Sequence, residues 1–126
     1  MTDSTPHTPQ EVSVRLRDDG ILEFDYLTNR VVDLDIARTA VGEARELVRA
    51  PTPTLVRINL VKEVTRDARV FFAESEENRQ VSSKVALLIA SPLGRIIGNF
   101  FMGLNRAALP VRLFTEVDAA VAWLQE

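Results

Sequence analysis

The chain has 126 residues, 46% hydrophobic and 26% charged, with a formal net charge of -3 and no cysteine. This length and composition suit one folded domain around one core and exclude a disordered chain, and the charge leaves no general positive field for a polyanion such as nucleic acid. The lack of cysteine excludes disulfides, thiol catalysis and zinc–thiolate sites.

Residues 1–10 are polar and carry Pro6 and Pro9. They read as a disordered leader, with no basic region followed by an apolar stretch as a signal peptide needs. No apolar run approaches the ~20 residues of a membrane-spanning helix, so a cytoplasmic protein is the default expectation. The domain itself is expected over residues 11–126. Thirteen of its fifteen basic residues are Arg, which favours planar ion pairs on solvated helix faces.

Val12, Val14 and Leu16 alternate with polar residues, Asp18-Asp19-Gly20 supplies turn chemistry, and an extended pattern resumes from Ile21 to Tyr26. This spacing predicts a β-hairpin. Asp33 is placed as an N-cap, and Ile36, Ala40, Ala44 and Leu47 recur at helical spacing up to about Arg49, where Pro51 and Pro53 stop the helix. Leu55 to Leu60 reads as a central strand. Thr65 caps a second helix with Ala68, Phe71, Phe72 and Ser75 on one face, weakening across Glu76 to Arg79.

Val85 to Ala90, the most hydrophobic run, reads as a buried strand. Ser91 and Pro92 then open a helix whose apolar arc includes Leu93, Ile97, Phe100, Phe101 and Leu104. Val111 to Phe114 makes a last strand, and Thr115 with Asp118 forms a capping-box-like start to a final helix ending at Trp123 and Leu124. Strand alternating with helix implies a mostly parallel sheet of about five strands, with the N-terminal hairpin's first strand antiparallel at its edge and about four helices.

This order, with its ending of strand, Phe114-Thr115 and an Ala-rich helix closing in Trp123-Leu124, resembles the STAS fold, and Phe71-Phe72-Ala73-Glu74, Ser91-Pro92-Leu93-Gly94-Arg95, Gly98-Asn99-Phe100-Phe101 and Val111-Arg112-Leu113-Phe114 suggest similarity to a set of uncharacterised bacterial STAS-like proteins. STAS domains include the bacterial anti-anti-sigma factors and are similar in topology to the CRAL-TRIO lipid-binding domains. In phosphorylatable members an Asp is followed by two hydroxyl residues and a Gly. Here Asp67 is followed by Ala68, Arg69 and Val70, so the resemblance implies no phosphorylation switch at that site.

The only histidine, His7, lies in the leader, which argues against a Ser-His-Asp site or a histidine metal site. Glu74, Glu76 and Glu77 lack the spacing of a calcium loop and read as a solvated face. Gly94, Gly98 and Gly103 match no phosphate-binding pattern. No cofactor is expected.

Two candidate regions stand out. Thr65, Arg66, Asp67 and Arg69, with Ser91, Gly94 and Arg95, fall at the carboxyl edge of parallel strands, where helix N-termini attract anions or partners dock. Phe72, Phe101 and Met102 form a candidate apolar interface if they project outward. The favoured expectation is a non-catalytic interaction or regulatory module that self-associates as a homodimer. The alternative is a binder of a small apolar or amphipathic ligand, and an enzyme ranks last.

Overall fold

The computed structural model describes residues 12–27, 31–58, 61–89 and 109–126. Strand β1 (Val12–Leu16) pairs antiparallel with β2 (Leu22–Tyr26), Val14 opposite Phe24. The turn closes through Arg17 N–H on the Ile21 carbonyl at 2.8 Å, with Gly20 at φ 85°, a conformation that glycine adopts without steric cost. A two-residue strand β3 (Val31–Val32) precedes helix α1 (Leu34–Leu47), whose cap is the expected one: the Asp33 carboxylate accepts Ile36 N–H at 3.0 Å. Val48 is already extended, so α1 stops before Arg49.

Strand β4 (Thr52–Arg57) begins three residues before the expected Leu55 and takes in Pro53. Pro53 is tolerated because β4 pairs with β2 only from Thr54 onward, and the ladder to the other neighbour shifts register between Thr52 and Pro53. Strand β5 (Glu63–Val64) pairs parallel with β3, a small second sheet that no sequence pattern announces. Helix α2 (Arg66–Glu74) carries Thr65 as its N-cap. Where a weakening helix is expected, Ser75 turns extended, ends α2 and caps a separate α3 (Glu76–Val81) by accepting Asn78 N–H at 3.1 Å.

Strand β6 (Ser82–Leu88) follows directly and starts three residues before Val85. After β7 (Val111–Phe114) comes α4 (Val117–Leu124), whose N-cap is Glu116 without a side-chain cap bond. The capping-box start on Thr115 is therefore not formed. The expected leader over 1–10 and the helix around Leu93 to Leu104 lie outside the described residues.

The main sheet runs β1-β2-β4-β6-β7, with β1 antiparallel and the rest parallel. Because side chains alternate between faces, it has two distinct sides. One carries Phe24, Tyr26, Val85 and Leu87 against α1, α2 and α3. The other carries Ile21, Leu55, Ala86 and Leu88 against Ala120 and Leu124 of α4. Leu55 and Leu124 are essentially fully buried, each contributing roughly 1.5–3 kcal/mol relative to exposure.

Candidate functional site

On the sheet face beneath α2 and α3 lies an apolar cavity, walled by Phe24 and Tyr26 of β2, Val56 of β4, Val85 and Leu87 of β6, and Phe72 of α2. Its cavity volume is about 40 Å³, and all the empty space between its walls, open mouth included, is about 550 Å³. On the scale of the smaller figure a single water needs ~10–15 Å³, so the slot has room for a few water-sized groups. The cavity is a narrow slot that suits a single slim chain, below the ~300–1,000 Å³ typical of small-molecule sites.

Four polar side chains line the slot. Thr54 Oγ1 donates to the Thr52 carbonyl at 2.9 Å and lies 2.7 Å from Ser82 Oγ. A hydroxyl has one proton, so Thr54 spends its own on the carbonyl and Ser82 donates to Thr54. Ser82 reaches this face because of the register shift in the β4–β6 ladder. Strict alternation back from Leu87 and Val85 would bring Ser83 here instead, but Ser83 is exposed and Ser82 is buried. Asn78, also buried, donates Nδ2–H to the Phe72 carbonyl at 2.9 Å, which ties α3 to the end of α2.

Tyr26 differs from these three. It is only 4% exposed, yet its hydroxyl has no hydrogen-bond partner among the described residues. Burial pushes its ionisation far above the usual tyrosine range, so the group is a neutral phenol at any ordinary pH. Buried tyrosine hydroxyls usually find a partner, and an unpaired one costs stability.

The opposite face carries a charged network that sequence reasoning missed. The Glu23 carboxylate, 5% exposed, accepts Arg57 Nε–H at 2.7 Å and also meets Arg15 at 3.2 Å and Arg17 at 3.5 Å. Burial alone would raise its pKa, but the hydrogen bond from Arg57 and the charges of Arg57, Arg15 and Arg17 together outweigh it and hold the carboxyl below its ordinary value. Asp25 shows the reverse balance: burial, with the nearby Glu23 charge, raises its carboxyl against the attraction of Arg57. The hairpin register supplied a signal, since Arg15 stands directly opposite Glu23.

The predicted strand-end cluster is built of local bonds. Thr65 donates its hydroxyl proton to Asp67 at 2.6 Å and accepts Ala68 N–H at 3.3 Å. The bond from Thr65 holds the exposed Asp67 carboxyl below its usual range. Arg69 donates to the Val64 carbonyl at 2.6 Å, while Arg66 is exposed at the first position of α2. Ser91, Gly94 and Arg95 lie outside the described residues, as do Phe101 and Met102. Phe72 is half-buried, packs against the core and edge-on to Phe71, and forms part of the slot wall. Among the described residues, no group of three or more His, Cys, Asp or Glu could hold a metal ion, and no helix is long and apolar enough to cross a membrane.

The family model for a domain of unknown function, DUF7793, matches residues 14–126. Among solved structures, the chain is similar to an uncharacterised protein of the DUF3478 family from Shewanella loihica PV-4 with a SpoIIAA-like fold. That match has a TM-score of 0.60 at 14% identity and covers 96% of this chain and 99% of the other. It shows a STAS-like fold. A protein of unknown function from Arthrobacter sp. FB24 aligns at 27% identity over 94% of this chain and 96% of its own, with a TM-score of 0.35. No curated protein matches.

Proposed function

We propose that this chain, which belongs to the DUF7793 family, is a non-catalytic binding module whose slot between the sheet and helices α2 and α3 receives the slim end of a small apolar or amphipathic molecule. One observation carries this reading: an apolar slot walled by otherwise buried core residues contains a buried tyrosine hydroxyl without a partner among the described residues. An apolar concavity with few polar groups is the usual form of a small-molecule site. A non-catalytic role agrees with the bonding inside the slot. Thr54 and Asn78 use protons on backbone carbonyls and Ser82 uses its proton on Thr54, so none of the three hydroxyl or amide groups is poised beside a general base.

Native mass spectrometry of protein purified under mild conditions tests the proposal. A non-covalent adduct of a few hundred daltons, lost when Val56→Phe fills the slot, is the expected result. An adduct-free protein that also shows no spectral change with 1-octanol would sink it.

A second reading, docking of a protein partner or a second copy, draws on one feature. Strand β1 is a sheet edge, and Leu16 at its end is 45% exposed. An open strand edge is a template for pairing with another chain. Light scattering distinguishes the two, since a dimer abolished by Val14→Pro on that edge supports docking and a strict monomer removes it.

A further inference from the structure

The slot has a direction, and the strand registers give its length. Leu22 of β2 stands opposite Thr54 of β4, and Tyr26 lies four residues further along β2. At ~3.3 Å per residue, Tyr26 is therefore ~13 Å along the strand from the level of Thr54 and Ser82. Between these levels the walls are Phe24, Val56 and Leu87. The strand side of the slot is thus apolar between Thr54 and Tyr26.

The two ends differ chemically. At the Thr54 end both hydroxyl protons are already committed, so Ser82 Oγ offers only lone pairs. At the other end Tyr26 carries an O–H without a partner among the described residues. We propose that Tyr26 is the polar anchor of the slot, donating its hydroxyl proton to an oxygen acceptor on a slim, unbranched apolar ligand whose chain extends along the strands toward Ser82. This rests on the ligand-binding reading above and adds to it the ligand's shape, its polarity and the residue that orients it. The hydrogen bond that Tyr26 lacks among the described residues is the cost that such a ligand would relieve.

The chain has one tyrosine, so ring-labelled ¹³C-tyrosine gives a single reporter of this site. The probes are 1-octanol, methyl octanoate and n-octane, each titrated into wild-type protein and Tyr26→Phe. In the wild type, 1-octanol and methyl octanoate should shift the ring carbon that bears the hydroxyl, whereas octane should shift only the other ring carbons.

For Tyr26→Phe, affinity for the two oxygen-bearing probes should fall about 2- to 10-fold, the equivalent of one net hydrogen bond, with octane unchanged. The ligand-free variant should unfold at the same or a higher temperature, which separates lost anchoring from lost folding. Unchanged affinity of Tyr26→Phe for 1-octanol, or an equal loss for octane, overturns the anchor while leaving the slot a binding site. Failure of every probe to bind the wild type overturns the binding reading and the anchor together. If the variant does not fold, the wild-type ring shifts decide alone.

Discussion

Replacing Arg57 by Ala probes the buried carboxylate on the far side of the sheet. Glu23 is 5% exposed and its shortest bond, 2.7 Å, comes from Arg57, which is 29% exposed. Breaking a fully buried ion pair by removing one partner costs about 3–5 kcal/mol. Here Arg15 and Arg17 remain at 3.2 and 3.5 Å, and Arg57 is partly wet, so the expected loss at pH 7 is about 2 kcal/mol. For a chain of this length that is a fall in Tm of roughly 5–10 °C.

The pH dependence is the sharper readout. In the wild type the folded Glu23 pKa lies below 4.5, so its contribution is present above that pH and is lost as pH falls through the folded pKa. Without Arg57, burial becomes the dominant influence and moves the folded pKa the other way, so the variant should regain relative stability on acidification. Urea titrations of both proteins between pH 3 and 7, followed by Trp123 fluorescence, measure the difference. A loss below about 0.5 kcal/mol at pH 7, or parallel acid profiles, would refute the account. Glu23→Leu should cost less than Arg57→Ala, because it frees the arginines to water and leaves no buried charge unpaired.

Thr54→Val should destabilise by about 1–3 kcal/mol, because it leaves the buried Ser82 proton without its acceptor, whereas Ser82→Ala should cost under about 1 kcal/mol, since Thr54 still has the Thr52 carbonyl. Equal losses in urea denaturation would mean that the proton order is wrong. Gly20→Ala should cost about 1–2 kcal/mol from backbone strain alone, because its φ is 85° and an added Cβ meets nothing within 4 Å. Thermal melts of this variant beside Gly20→Asn, which tolerates positive φ better, check the cause. The raised Asp25 carboxyl means that its ionised form is disfavoured in the fold, so stability is lost as pH rises from 3.8 through the folded pKa. Asp25→Asn should accordingly melt higher than wild type at pH 7 and lose that advantage below pH 3.8.

The elements with strong local causes were legible in the chain. Asp33 and Thr65 cap helices as their types suggest, and the alternation of Val12 to Leu16 across Asp18-Asp19-Gly20 gives the hairpin. The STAS-like order of strands and helices followed from these elements. Features decided by distant pairing were not legible. Val31–Val32 and Glu63–Val64 are too short to show a period and become strands only by meeting each other. Ser82 turns into the slot through a register shift that arises between two strands.

Strand β2 shows why the site itself was hidden. Leu22, Phe24 and Tyr26 face α1 to α3, while Ile21, Glu23 and Asp25 face the other way. Both sets contain apolar residues, so alternation alone does not separate the slot wall from the charged face. Arg57 joins Glu23 from 34 residues away through the parallel β2–β4 register, which no local pattern encodes. Arg15 was the readable partner, once the hairpin register was counted back from Gly20.

Ala68 takes the resemblance to anti-anti-sigma factors one step further. It stands where their phosphoacceptor is implied, directly after Asp67, and it is fully buried against the core cluster. A serine at this position would therefore place its hydroxyl inside, away from any kinase, and would add a polar group needing a partner. The nearest partly exposed hydroxyl, on Thr65, is engaged at both its proton and a lone pair in closing the first turn of α2. Phosphate there would also set a second anion against the Asp67 carboxylate, opposing the attraction of the helix N-terminus. Turning the start of α2 outward would move Ala68 out of the packing that holds the helix over the slot.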